Sequence, residues 1–303
     1  MAVNIEKKHF IFNIILSLSL ISSNFCLPPL VLAQQGKFQD NTSIETLAEL
    51  KGRLGIVNNL EKNDFVVFPI ILDRETTVTI ISDYEFRKLI EPVSHLLLAA
   101  YSNFKSNFKE IPKFKTVVRL MNEHKFFEYT GAPAWTNALF FRGEMIIPLG
   151  SKIDLENLER SVMHEFSHAV ISALSDNKAP GWFDEGLAQR YEGSENPALI
   201  LALVDWLRYE KPVDFNLLQL GFTKLPNDMV PAAYAQSLFA VNLLIESFGI
   251  SAVNSYLEKL RLGYSKHDSF LLAFNLSEKE FERALAERLT NWAVSYQNVS
   301  LVQ

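Results

Sequence analysis

A single cysteine, Cys26, is all the thiol the 303-residue sequence contains. A disulfide framework and a cysteine-based metal site are therefore excluded, and any bound metal must be held by histidines and carboxylates. Basic residues are also in the minority, 29 against 35 acidic for a formal net charge of −6, and they form no block. The expected partners accordingly include no nucleic acid, and no polybasic membrane patch can be read. Repeats of solenoid length and low-complexity tracts are missing too. What remains is an ordinary globular composition, 48% hydrophobic, in a chain long enough to bury a core.

The first residues read as an address. Lys7 and Lys8 precede the apolar run FIFNIILSLSLI, Pro28 and Pro29 break it, and VLA ends on the small Ala33. This is the pattern of a secretory signal peptide over 1–33, and it predicts an exported protein, secreted or periplasmic. An uncleaved anchor is the rival, since Phe10 to Leu32 is just long enough to span a bilayer; Asn13, Asn24 and the two prolines oppose it. Bulky Phe25 opposes a lipid-modified Cys26. Cleavage after Ala33 removes the cysteine and, with Glu6, Lys7 and Lys8, a net +1, leaving a chain of −7 without a thiol or a membrane segment.

Residues 34–82 read as an N-terminal linker and β-rich segment. A polar stretch from Gln34 to Ser43 and a helical patch at Thr46 to Leu50 lead into DFVVFPIILDRETTVTIIS, whose β-branched and aromatic residues predict two strands. Pro69 suits an edge or a bulge. A catalytic domain is expected over 83–263, with 264–303 as a helical extension of the same domain. Asp83 to Phe108 predicts a helix, interrupted before Pro92, with an apolar stripe of Leu89, Val93, Leu96, Leu97, Ala100 and Phe104. KTVVRLM predicts a strand, and TNALFFRGEMIIPL a hairpin turning at Arg142-Gly143-Glu144. After Pro180 the pattern is helical over Trp182–Tyr191, Ala198–Tyr209, Ala232–Phe248, Ser251–Leu262 and Glu278–Ser295, the last opened by a Ser277/Glu280 capping box. The fold class is α+β: a small mixed sheet packed on one helix, then a helical C-terminal half.

That one helix carries the chemistry. In LERSVMHEFSHAVISALS, Asp154 is placed to cap the N-terminus, and Leu155, Leu158, Val162, Phe166, Ala169 and Leu174 form a face to bury. Ser161, His164, His168 and Ser172 lie along another face. Imidazoles four residues apart stack one turn apart and can reach one ion, while Glu165 stands beside them as a base for a water molecule rather than as a ligand. With 6 histidines in 303 residues, an HExxH pentad arises by accident in fewer than about one such chain in a hundred. The plainer alternative is two histidines in polar contacts on a half-buried helix. A metzincin would need Gly and His where Ile171 and Leu174 stand, so that class is excluded. Beyond Pro180 and Gly181 a second helix starts with Asp184 and Glu185, and a hairpin of helices can return one of these carboxylates to the histidines.

HEFSH, followed by WFDEGLA with sixteen residues between His168 and Glu185, resembles the gluzincin metallopeptidases, whose aminopeptidase-N-like branch reads W-x-x-E-G-x-A on its second helix. FFEYTGAPAWTNALFFRGEMIIPLG and AAYAQSLFAVNLLIESFG are similar to the compact bacterial peptidase-MA-like family, so the resemblance covers about residues 85–260. It implies a thermolysin-like zincin core holding Zn2+ on His164, His168 and Glu185, with Glu165 as general base in peptide-bond hydrolysis. It also implies Tyr234 as the donor to the oxyanion, against the alternative of a tyrosine packed at the core boundary. A peptide or protein substrate is expected along the 137–148 edge strand, unless that strand is an ordinary sheet edge.

The sequence departs from these relatives in two places. The aminopeptidase G-x-M-E-N strand is absent, RGEMI only echoing it, so exopeptidase action has no support. Gln189 stands where thermolysin-like enzymes carry an aspartate, leaving Asp184 or Glu192 to orient an imidazole. His95, His124 and His267 are expected to be structural, and Trp135 and Trp182 to be packing residues. The function implied is that of a secreted zinc metallopeptidase. A catalytically silent, zinc-stabilised peptide-binding module and hydrolysis of a non-peptide amide are the alternatives.

Overall fold

A computed structural model describes residues 65–133, 136–193 and 196–300, all within one unit spanning 46–303. The expected signal peptide with Cys26, the expected linker and helical patch at 46–50, and Trp135 lie outside the described residues.

Runs rich in Val, Ile and Phe form β1 (Phe65–Ile71), β2 (Thr77–Asp83), β3 (Lys115–Asn122), β4 (Leu139–Phe141) and β5 (Glu144–Leu149), joined in the order β1-β2-β3-β5-β4. The sheet is mixed: β1/β2 and β4/β5 are antiparallel, β2/β3 and β3/β5 parallel. Parallel neighbours need a crossover, and the chain supplies one with a 3-10 turn (Tyr84–Leu89) running into α1 (Ile90–Asn107), and another with α2 (Glu123–Thr130). The expected break before Pro92 is that change from 3-10 to α geometry at Ile90. Pro69 sits on β1, an edge strand, where a missing donor is tolerated. The β4–β5 hairpin turns on Arg142 (φ 52°) and Gly143 (φ 81°), the two positive φ values of a type I′ turn.

The strands alternate as a half-covered sheet must, burying Val78, Ile80, Val118 and Leu120. That core is shared by Val93, Leu97 and Phe104 of α1 and by Val162 and Phe166 of α3 (Leu155–Ser175), which is capped by the Asp154 carboxylate accepting from the N–H groups of Glu156 and Asn157. Leu155 departs from the expected buried face: at the first helical position it points away and is 64% exposed.

The helical half is α4 (Gly181–Tyr191), α5 (Pro197–Tyr209), α6 (Val230–Phe248), α7 (Ile250–Arg261), α8 (Lys266–Phe274) and α9 (Glu278–Ser300). The α+β class follows directly. Two helices go beyond the sequence reading. α2 occupies the polar stretch around His124, and α8 replaces the connector in which His267 was expected. Ser277 and Glu280 exchange hydrogen bonds at the start of α9 as a capping box. Among the described residues no single helix is long and apolar enough to cross a membrane.

Candidate metal centre

Three polar atoms meet where α3 passes α4. His164 Nε2 and His168 Nε2 are 3.2 Å apart, and Glu185 Oε2 stands 3.4 Å from the first and 3.6 Å from the second. Among the described residues this is the one group of His, Cys, Asp or Glu whose ligand atoms converge closely enough for a metal ion.

The outer nitrogens explain why the inner ones face each other. His164 Nδ1 lies 2.8 Å from Glu192 Oε2, and His168 Nδ1 lies 3.0 Å from Asp184 Oδ1. An ionised carboxylate only accepts, so each Nδ1 carries its hydrogen, and Nε2 is the ring nitrogen left to face the cluster. Glu185 Oε2, buried without a hydrogen-bond partner, adds a third acceptor at the same point. Positive charge satisfies such a group, as protons on the two Nε2 atoms or as a metal ion that displaces them. For arms of about 2.05 Å, tetrahedral zinc places its ligand atoms about 3.3 Å apart, so the residues present fit that ion.

The same field acts on protons. Burial pulls the His168 pKa down, but Asp184 and Glu185 outweigh it and lift it to about 9. Burial is likewise overcome at His164, where the carboxylates of Glu185 and Glu192 raise the pKa well above the ordinary histidine value. Glu185 is held below the usual carboxylate range: burial opposes this, and the two imidazoles win. Glu165 goes the other way. Burial raises it despite the nearby histidines and a hydrogen bond from the Phe140 backbone. It lines the same cavity but stays outside the convergent group.

The neighbouring elements fix these positions through close contacts. Gly181 opens α4 against the 218–220 segment, where a Cβ would come within 2.4 Å of the Leu220 carbonyl oxygen. Gly186, next to Glu185, lets α6 cross so closely that a Cβ would lie 2.2 Å from the Ser237 carbonyl oxygen. Trp182 is fully buried, stacked 4.2 Å from Phe215, with its Nε1 donating to Glu278 of α9.

Tyr234, on α6, lines the cavity with the cluster, and its ring meets Phe222 edge-on at 4.9 Å. Burial first, then the charges of Glu185, Glu165 and Glu192, push its phenol well above the ordinary tyrosine value. Gln189 ties the two helices together, donating from Nε2 to the Tyr234 carbonyl at 2.8 Å. Asp184 and Glu192 both hold an imidazole, where the sequence left one or the other. His95 and His124 are exposed and stand apart from the cluster, as does His267. Phe140 was not anticipated: its ring is parallel-stacked on His168 at 6.3 Å, a contact made by the fold with no sequence signal of its own. Thr136 to Phe141, including edge strand β4, forms one wall of the cavity, whose volume is about 440 Å³.

A family model described as the Peptidase MA superfamily matches residues 124–291, more than half of the chain. The chain belongs to the Peptidase MA superfamily. This match takes in α3, α4 and α6, and so every residue of the cluster. Among solved structures, this superfamily member is similar to a two-domain M1 zinc metallopeptidase, a mutant bound to L-tryptophan, at 15% identity and a TM-score of 0.45. The likeness covers 75% of this chain and 51% of that one, so the chain spans about half the length of that enzyme. No curated protein matches it in sequence.

Proposed function

We propose that the chain is an exported, zinc-dependent peptidase with a thermolysin-like zincin core. The observation that carries this is the convergence of three acceptors from His164, His168 and Glu185, with Glu165 on the same cavity wall but outside the ligand set. Zinc, when bound there, supplies a Lewis acid that makes water nucleophilic near neutral pH and polarises a carbonyl.

The chain's own residues do the rest. Glu165, with a pKa raised by burial, accepts a proton from the attacking water as its oxygen bonds to the carbonyl carbon. It then passes that proton to the amine as the C–N bond breaks. Tyr234 keeps its phenolic proton far into the alkaline range and donates to the oxyanion. Substrate backbone adds alongside β4, whose outer edge has no strand partner among the described residues. Asp184 and Glu192 hold both imidazoles in the tautomer a metal requires. Export rests on residues 1–33, and the N-terminus of exported protein is expected at Gln34.

Cleavage of a mixed peptide library with and without a chelator tests this reading. The expected result is chelator-sensitive cleavage that falls by about a hundredfold or more in Glu165→Gln, with zinc retained. Tyr234→Phe should lower kcat by about a hundredfold, with zinc content and substrate binding little changed. Equal peptide affinity without turnover in either the parent or the Glu165→Gln protein would identify a binding module instead.

A further inference from the structure

Arg160 precedes His164 by four residues on α3, so its side chain leaves the same helix face about one turn, or roughly 6 Å, toward the N-terminus. It is half-buried and lines the cavity with Asn137, Ser161 and Asn196. The Asn196 side-chain Oδ1 already caps α5, accepting from the Ala198 N–H at 3.2 Å, which leaves Nδ2 for donation.

Among the described residues the Arg160 guanidinium makes one hydrogen bond, a 3.3 Å contact to Asn157 Oδ1, and no ion pair. Other half-buried arginines hold closer partners. Arg119 grips Glu144 through two nitrogens, and Arg190 donates to Asn242 at 2.6 Å. The carboxylates of the cavity wall are committed elsewhere: Glu192 and Asp184 to the imidazoles, Glu185 to the cluster, Glu165 beside it. The cavity wall therefore carries an acidic cluster and, one helix turn away, one cation with open donors, with two asparagines also on the wall. A planar guanidinium matches a carboxylate bidentately, and shielding from water strengthens the pair.

We propose that Arg160 makes the cavity end beyond His164 a carboxylate-recognising subsite, so that the preferred substrates carry an acidic side chain or a free C-terminal carboxylate there. This rests on the cavity being a peptide-binding site.

The test measures binding in zinc-loaded Glu165→Gln protein, so that turnover plays no part. Peptides of one core sequence are compared as a neutral amide, with an internal glutamate, with a free C-terminus, and with an internal lysine. With Arg160 present, at least one carboxylate peptide should bind about tenfold or more tightly than the neutral amide. Which one it is distinguishes side chain from terminus. Arg160→Glu should abolish that preference and favour the lysine peptide. Arg160→Met, which keeps the apolar stem, should abolish it without reversal and covers the case in which the charge reversal disturbs folding. The same ranking of peptides with and without Arg160, or no binding by any of them, overturns the inference. The peptidase reading is judged separately by cleavage with Glu165 intact: carboxylate preference without cleavage would leave the subsite and remove the enzyme.

Discussion

The two helices that meet at the cluster are built on opposite principles. α3 declares itself: Asp154 caps it, apolar residues recur on one face, and the histidines lie along another. α4 has no side-chain cap and buries residues all round, including Gly181, Trp182, Phe183, Gly186, Leu187, Ala188 and Tyr191. An eleven-residue helix of this kind has little stability of its own. Tertiary contacts hold it: the aromatic cage around Trp182, the glycine contacts with the 218–220 segment and α6, and the tie from α9. The difference teaches where each ligand's precision comes from. The places where His164 and His168 leave the backbone are set by local helix geometry, whereas Glu185, Asp184 and Glu192, and through the last two the orientation of the imidazoles, are set by residues as distant in sequence as Glu278.

The sharpest way to break this contrast is at Trp182. Replacing it with alanine should cost about 3–5 kcal/mol, because it removes a fully buried ring from a packed cage. Chemical denaturation with and without zinc would measure this, and zinc affinity should fall with stability as α4 loosens. Glu192→Ala comes next, with an expected 10- to 100-fold loss of zinc affinity as His164 loses its orienting acceptor. Glu192→Gln, which can still accept from Nδ1, should lose less. Asp154→Ala should have the smallest effect, about 1 kcal/mol of stability with zinc affinity nearly unchanged, since the rest of α3 is secured by its own buried face. If the Asp154 change matched the Trp182 change, the distinction between the helices would be wrong.

The same contrast explains what could be read in advance. The sheet and α3 follow from period-two and i, i+4 patterns, so Val78, Ile80, Val162 and Phe166 are buried where those patterns put them, while the hairpin expected to turn at Arg142-Gly143-Glu144 turns on Arg142 and Gly143 alone, with Glu144 already in β5. α2 and α8 are short. Their signals are mainly their ends: Asn122 capping and Gly131 at φ 62° for α2, Ser265 capping and Asn275 at φ 57° for α8. Leu155 matched the apolar period, but a first-turn position has no preceding turn to pack it. In the site, spacing alone identifies His164, Glu165 and His168. Choosing between Asp184 and Glu185 needed the W-x-x-E-G-x-A resemblance, and the structure brings Glu185 into the cluster while Asp184 lies outside it on His168. The partnership of Glu192 with His164 spans 28 residues and depends on how α4 returns beside α3.

The account's central claim is that one zinc ion sits where His164, His168 and Glu185 converge. It is tested most directly by zinc stoichiometry and competition-chelator affinity on purified parent protein and Glu185→Ala, alongside circular dichroism. The account predicts one tightly held zinc per chain in the parent and a folded Glu185→Ala protein that no longer retains zinc through the competition. Full zinc occupancy at parental affinity in Glu185→Ala, or no zinc binding by folded parent protein, would contradict it.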